Sequence, residues 1–137
     1  MIYLIGSLRN PEIPRIGNYI RSLGVEVFDD WFAGGKIADD EWQEYETTRK
    51  RDYASALKGY AADHVFAFDK HHLDRSHAGI LVLPAGKSGH LELGYLAGQG
   101  KPTYILFDQV PERWDVMYKF ATEVFFDLED LGERLKQ

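Results

Sequence analysis

Short apolar runs alternate along the chain with longer segments in which apolar residues recur every three or four positions. The short runs predict buried strands at Ile2–Ile5, Val25–Phe28, Ala78–Leu83, Thr103–Phe107 and Val124–Phe126. The longer segments predict helices from about Pro11 to Leu23, Thr47 to Ser76 with a bend near Gly59, Ser88 to Gln99, Glu112 to Phe120, and Leu128 to Leu135. Strands that alternate with helices predict one α/β domain over residues 1–137, with about five mostly parallel strands and helices on both faces, in a three-layer Rossmann-like arrangement.

The segment from 31 to 46 fits neither pattern. It places Trp31, Phe32, Trp42 and Tyr45 among glycines and acidic residues. We expect a long aromatic-rich loop here, and such loops in small domains usually form lids or interfaces.

The amino-acid composition and charge exclude several classes of protein for this chain. Hydrophobic residues make up 45% of the 137 positions, which is enough for a packed core. The chain has no cysteine, which excludes disulfides, thiolate catalysis and cysteine-bound metals. The net charge of -6 argues against a nucleic-acid polymer as partner but leaves room for one small phosphate group. No apolar run approaches the ~20 residues of a membrane span, and no signal peptide precedes the first strand, so we expect no membrane association and a cytoplasmic location.

Two turns carry the small and polar residues that a binding site needs. Gly6-Ser7-Leu8-Arg9 follows the first strand, and Gly86-Lys87-Ser88-Gly89-His90 follows the third strand. Right-handed crossovers place the ends of these strands along one edge of the sheet, where open α/β sheets bind ligands. Ser7 and Arg9 could hold a phosphate or carboxylate group. The alternative is that Ser7 and Ser88 only cap helices and that Arg9 is a surface residue.

Glu92 lies near the start of the helix that follows the third strand. The positive end of the helix dipole favours its ionised form, and an ionised carboxylate beside a cleft can attack an electrophilic carbon such as the anomeric carbon of a sugar. On position alone, a glutamate that only complements the dipole, for about 0.3–1 kcal/mol, is an equal alternative.

Asp69 follows Phe66 and Phe68, which suggests a partly buried carboxyl group with a raised pKa. Such a group could hold a sugar hydroxyl or donate a proton. The alternative is that Asp69 caps a helix that begins at Lys70. Asp74 is predicted to be an ordinary exposed helix residue.

The five histidines match no spacing typical of metal ligands, so no metal site is predicted. His90 differs from the others because it lies two residues before Glu92.

In their order along the chain, these segments resemble the nucleoside 2-deoxyribosyltransferase family, which includes the related 2'-deoxynucleoside 5'-monophosphate N-glycosidases. The resemblance rests on the first-strand segment 2–10, on Asp69, and on the segment 89–95, which contains Glu92-Leu93-Gly94-Tyr95 and precedes Gly100-Lys101-Pro102. It covers most of the chain, from Ile2 to about Phe107.

The resemblance implies a flavodoxin-like sheet, no metal or organic cofactor, and cleavage of the N-glycosidic bond of a 2'-deoxynucleoside or its 5'-monophosphate through a covalent glycosyl-enzyme intermediate. Glu92 falls on the nucleophile of the family, and Asp69 on the aspartate that binds the sugar or protonates the leaving base. Tyr3 falls on the tyrosine that orients the glutamate. The predicted substrate-binding residues are Gly6, Ser7, Arg9, Gly86, Ser88, Gly89 and His90.

One departure from the transferases bears on the substrate. They often carry an extra aspartate a few residues before the nucleophile, where this chain has Gly86, Lys87 and Ser88. Lys87 would favour an anionic substrate, and bond cleavage is more strongly implied than transfer to a second base.

Two other functions stay open at this point, together with the state of assembly. The alternatives are a non-catalytic nucleotide-binding or sensing module of the same fold, and a phosphate-handling domain unrelated to nucleosides. Trp31, Phe32 and Trp42 could stack on a base or close the pocket. Apolar surface on 47–76 and on the aromatic segment predicts a homodimer or a higher homo-oligomer.

Overall fold

A computed structural model describes all residues from 1 to 137, and its centre is a five-stranded sheet. The strands are β1 (Ile2–Ile5), β2 (Val27–Phe28), β3 (Ala78–Val82), β4 (Thr103–Leu106) and β5 (Glu123–Phe125). Every neighbouring pair is parallel, and the order across the sheet is β2-β1-β3-β4-β5. This is the flavodoxin-like order, so the predicted fold class is confirmed.

Helices cover both faces of the sheet. They are α1 (Ile13–Ser22), α2 (Ala38–Thr48), α3 (Tyr53–Leu57), α4 (Tyr60–Arg75), α5 (Lys87–Gly98) and α6 (Leu128–Leu135), and two 3-10 helices span Asp30–Gly34 and Val116–Phe120. None of them is long and apolar enough to cross a bilayer.

The strands divide their side chains between two cores because successive residues of a strand point to opposite faces. Leu4 and Ile80 belong to the core that α1 and α6 cover, together with Ile13. Tyr3 and Leu81 belong to the core that α4 and α5 cover. Burial of each large aliphatic side chain contributes about 1.5–3 kcal/mol, so both layers hold the sheet.

The prediction of a long loop over residues 31–46 is wrong. The segment folds into the first 3-10 helix and most of α2, whose first turn holds Asp39, Asp40 and Glu41. Acidic residues at that end complement the helix dipole. The buried residue of α2 is Glu46, which pairs with Arg51 at 2.7 Å, so this helix has no apolar stripe that a sequence pattern could reveal.

The helix predicted from Thr47 to Ser76 is interrupted earlier than expected. The chain turns after α2 at Lys50, whose φ is 60°, and α3 begins with Asp52 accepting a hydrogen bond from the Ser55 N–H at 2.8 Å. The expected break near Gly59 is confirmed, because Gly59 precedes the first residue of α4.

Candidate functional site

The sheet order creates a cleft where β1 and β3 lie side by side while their following connections leave toward opposite faces. Ligands of doubly wound folds bind at this switch point, outside the carboxyl ends of the strands. The cleft has a volume of about 750 Å³. Nine of the ten predicted site residues line it: Tyr3, Gly6, Ser7, Arg9, Asp69, Gly86, Ser88, Gly89 and Glu92.

Glu92 projects into the cleft from the second turn of α5 and is largely buried. Desolvation raises its pKa from 4.5 to about 7, the nearby Asp69 carboxylate adds to the rise, and a hydrogen-bonding interaction with Tyr3 opposes it. The expectation that the helix dipole keeps Glu92 ionised is therefore wrong. A dipole effect of about 0.3–1 kcal/mol is smaller than the ~3 kcal/mol that such a rise in pKa represents.

Tyr3 supports the Glu92 carboxyl from the floor of the cleft. It lies on β1, is 1% exposed, and its ring packs at 5.1 Å from the ring of Phe28. Burial, together with the nearby Glu92 and Asp69 carboxylates, raises the pKa of Tyr3. The phenol therefore keeps its proton and can donate a hydrogen bond to Glu92.

Asp69 faces the same space from the opposite wall. It is the tenth residue of the sixteen in α4, so its predicted alternative role as a cap before Lys70 is wrong. Desolvation raises the pKa of Asp69. Phe66 and Phe68 do not bury it as expected, since they are 65% and 51% exposed.

Stacked rings lie behind Phe68, which lines the cleft next to Asp69. The His72 ring stacks on Phe28 at 4.0 Å and meets Phe68 edge-on at 4.6 Å. Because Phe28 also contacts Tyr3, these rings link two lining residues of the cleft, Phe68 and Tyr3.

The turn after β3 presents backbone N–H groups to the cleft. Gly86 precedes the first residue of α5 and makes no side-chain cap, so the predicted alternative of Ser88 as the cap is wrong. The first N–H groups of a helix lack partners within the helix and suit an anion. Gly89 is needed for packing as well, because a Cβ there would lie 3.0 Å from Leu81 Cδ1 and 3.3 Å from Ile5 Cγ2.

The turn after β1 is shaped by its own hydrogen bonds. The Ser7 Oγ accepts from the Arg9 N–H at 3.1 Å. A Cβ on Gly6 would lie 2.6 Å from Ile13 Cδ1, so the turn passes close to α1. The Arg9 guanidinium lies 3.5 Å from the Asp40 carboxylate, with both side chains more than half exposed. Such a pair contributes little, so Arg9 can turn toward an anionic ligand.

His90 is the one predicted site residue that the structure does not bring into the cleft. Its Nδ1 lies 2.8 Å from the Gly86 carbonyl oxygen, and its Nε2 lies 2.9 Å from the Tyr118 hydroxyl. The ring borders a smaller apolar cavity beside the second 3-10 helix. Residue 90 points away because it is two positions, or about 200°, from Glu92 around α5.

Several residues that line the cleft were not among the site residues predicted from the sequence. Lys36 and Asp39 come from the segment that was expected to be a loop, and His64 and Phe68 come from the face of α4 that carries Asp69. The spacing of His64 and Phe68 at four positions, with Asp69 adjacent, could have placed them together on the helix predicted from Thr47 to Ser76.

The three aromatic residues proposed to contact a base have different positions. Trp31 lines the cleft, and its indole N–H donates to the Leu4 carbonyl oxygen at 2.7 Å, beyond the last rung between β1 and β2. Trp42 borders an adjoining cavity of about 570 Å³, and Phe32 lines neither space. No group of three or more His, Asp or Glu side chains lies close enough together to hold a metal ion.

Fold and cleft together define a flavodoxin-like α/β protein with two desolvated carboxyl groups at its switch point. No family model and no curated protein matches the chain. Comparison with solved structures does find a likeness. The solved structure of a 2-deoxyribosyltransferase from the psychrotolerant bacterium Bacillus psychrosaccharolyticus is similar, with a TM-score of 0.63 and 18% identity over 96% of this chain and 89% of that chain. This likeness shows the fold that the sequence resemblance implied.

Proposed function

We propose that the protein cleaves the N-glycosidic bond of a 2'-deoxynucleoside or its 5'-monophosphate. The observation that carries the proposal is the desolvated pair of Glu92 and Asp69 at the switch point, with Tyr3 beside it. Glycosidic cleavage through a covalent intermediate needs one carboxylate that attacks C1' and a second carboxyl group that binds the sugar or handles the proton of the leaving base. The likeness to a 2-deoxyribosyltransferase, named above, agrees with this chemistry.

In the first step the ionised Glu92 attacks C1' of the sugar. The C1'–N bond breaks, and its electron pair stays on the nitrogen of the leaving base. Asp69, which is desolvated in the same cleft, holds a sugar hydroxyl or, when it carries a proton, donates it to the base. Tyr3 holds the Glu92 carboxyl in position for attack.

In the second step a nucleophile attacks C1' of the glycosyl-enzyme and releases the Glu92 carboxylate. When the nucleophile is water, its proton returns to Asp69 and the product is the free sugar. When it is a second base, the product is a new nucleoside and the reaction is a transfer. Cleavage of the first bond is common to both outcomes.

Three basic side chains of the cleft support a phosphorylated substrate. Arg9, Lys36 and Lys87 line it together with the first turn of α5, which has no side-chain cap. A 5'-phosphate there would receive both charged and backbone donors. Trp31 offers an aromatic wall for the base, because its N–H is already bound to Leu4.

We also propose that the chain forms a homodimer through α3 and α4. Leu73 is the one buried residue of α4, while Tyr53, Tyr60 and Phe66 are 72%, 91% and 65% exposed. Exposed aromatic side chains on two successive helices are typical of an interface. Analytical ultracentrifugation tests this, and a monomer at micromolar concentration would contradict it.

Intact-protein mass spectrometry with a panel of 2'-deoxynucleosides and their 5'-monophosphates tests the function. We expect release of free base and an adduct of one deoxyribose, with or without phosphate, on the peptide that contains Glu92. Glu92→Ala should lose the adduct and depress turnover by several orders of magnitude. Binding without base release would favour the sensing module, and near-normal cleavage by Glu92→Ala would refute the assignment of the nucleophile.

A further inference from the structure

Two residues of the motif segments lie outside the cleft yet bind the same element. The hydroxyl of Tyr95, in the Glu92-Leu93-Gly94-Tyr95 segment, donates to Asp74 at the end of α4. The Nζ of Lys101, in the segment that follows α5, donates to the carbonyl oxygens of Leu73 at 3.1 Å and Asp74 at 3.0 Å. A cation at the carboxyl end of a helix satisfies its last carbonyls and complements its dipole.

We call these contacts the tie: the bond from Tyr95 to Asp74 and the bonds from Lys101 to Leu73 and Asp74. Asp74 is an exposed helix residue, as the sequence predicts, but its carboxylate has partners on both α4 and α5. Its other contacts are the Gln99 Nε2 at 3.3 Å and the Lys70 Nζ at 2.9 Å. Hydrogen bonds from Tyr95 and Lys70 lower the pKa of Asp74 to about 2. Asp74 is therefore ionised, and the tie intact, over the whole range in which Glu92 titrates.

The tie matters because little else fixes α4 to the body of the protein. Leu73 is the one buried residue in its sixteen. Near its carboxyl end, α4 is held by Leu73 in the core, by the rings of Phe68 and His72 against Phe28, and by the tie. Asp69 therefore depends for its position on contacts made by the following turn.

The candidate site and the tie lie at different heights along α4 and α5. Both helices run back from the carboxyl edge of the sheet, because α4 precedes β3 and α5 follows it. Asp69 and Glu92 line the same cleft. Asp74, which binds Tyr95, lies five residues or about 7.5 Å farther along α4 than Asp69.

We infer that Tyr95, Asp74 and Lys101 are positioning residues that hold α4 against α5 and so set the distance between the Asp69 and Glu92 carboxyl groups. The inference rests on the proposed function of those two carboxyls. None of the three residues lines the cleft, so each acts through the helix it holds. When the tie is broken, Asp69 moves away and water reaches Glu92, and both changes bring the pKa of Glu92 down toward its ordinary value.

Tyr95→Phe removes the hydroxyl and keeps the ring. We expect kcat to fall about tenfold with KM nearly unchanged, since small displacements of reacting groups cost up to 10²-fold. The acid limb of the kcat profile should move below pH 7. Lys101→Met should act in the same direction and provides a second route should Tyr95→Phe fail to fold.

Tyr19→Phe is the matched control. Its hydroxyl lies against Gly132 of α6, in the helix layer on the other face of the sheet. We expect neither kcat nor the acid limb to change in this variant. A Tyr95→Phe protein with wild-type kcat and an unmoved acid limb, or one in which KM alone rises, would overturn the inference.

Carboxyl NMR separates this inference from the proposed function. The pKa of Glu92 can be measured in the free protein, without any substrate. A lower Glu92 pKa in Tyr95→Phe than in wild type would support the positioning role even where no substrate is cleaved. An identical pKa in the two proteins would overturn it, whatever the activity.

Discussion

Glu92→Gln should make the protein more stable, and the gain should depend on pH. Burial raises the pKa of Glu92 from 4.5 to about 7, so the folded state resists ionisation. Below about pH 4.5 the group is protonated in both folded and unfolded chains and has no effect. As pH rises from 4.5 to 7 the unfolded chain releases its proton first, so the free energy of unfolding falls.

The size of this effect follows from the two pKa values. Each pK unit corresponds to about 1.4 kcal/mol, so ionised Glu92 lowers the free energy of unfolding by about 3 kcal/mol once the pH is above 7. At pH 5 the loss is about 1 kcal/mol by the same linkage. Glutamine cannot ionise and fills nearly the same space, so it removes the loss at both pH values.

Urea unfolding and thermal melts at pH 5 and pH 8 measure the difference. At pH 8 Glu92→Gln should raise the free energy of unfolding by about 3 kcal/mol and Tm by about 10 °C for a chain of this length. At pH 5 the gain should be about 1 kcal/mol or less. Glu44→Gln, at an exposed glutamate in the middle of α2, is the control for the change of side chain. An equal gain at both pH values would refute the reasoning that burial opposes ionisation of Glu92.

The same geometry leads to three further predictions. The value of kcat/KM should rise as the pH increases through about 7, since attack needs ionised Glu92. In Asp69→Asn the acid limb of the kcat/KM profile should move to lower pH, because Asp69 helps to raise the pKa of Glu92. An unmoved acid limb would exclude this coupling. Gly86→Ala should fold normally, as a Cβ there meets nothing within 4 Å, but should raise KM severalfold if the ligand approaches this turn; an unchanged KM would place the ligand elsewhere. Trp31→Phe removes the hydrogen bond to Leu4 and should lower the free energy of unfolding by about 1–2 kcal/mol in urea titrations, since a buried acceptor loses its donor; an unchanged midpoint would show that this bond contributes nothing.

The strands could be predicted because both faces of the sheet are buried. Four-residue runs such as Ile2–Ile5 and Thr103–Leu106 are buried at every position, and such runs between helical segments are typical of parallel sheets. The handedness of the crossovers also predicts that the turns after β1 and β3 lie along one edge of the sheet.

Helix α2 could not be predicted for the opposite reason. Its buried side chain is a glutamate, held by Arg51 from beyond the helix. A periodic apolar pattern is absent where an ion pair provides the contact. In α4 apolar residues were misleading instead. Phe66 and Phe68 are exposed, so the prediction that they bury the Asp69 carboxyl is wrong.

The direction of the Glu92 pKa change is a property that the sequence alone could not predict. Its position on α5 was predictable, and the dipole argument followed from position alone. The depth of the carboxyl between β1, α4 and α5 depends on three segments far apart in the chain. Desolvation from that packing outweighs the dipole by severalfold, so the sign of the pKa change could come only from the assembled cleft.

The burial that destabilises Glu92 in the free protein has the opposite effect on the proposed reaction. Cleavage at C1' passes through an oxocarbenium-like state in which positive charge develops beside the carboxylate. In a desolvated cleft the attraction between these charges is stronger than in water, and it arises only as the charge develops. An interaction that is stronger in the transition state than in the ground state accelerates the reaction. The protein that loses stability by burying Glu92 therefore gains rate from the same packing, and Glu92→Gln should be at once more stable and inactive.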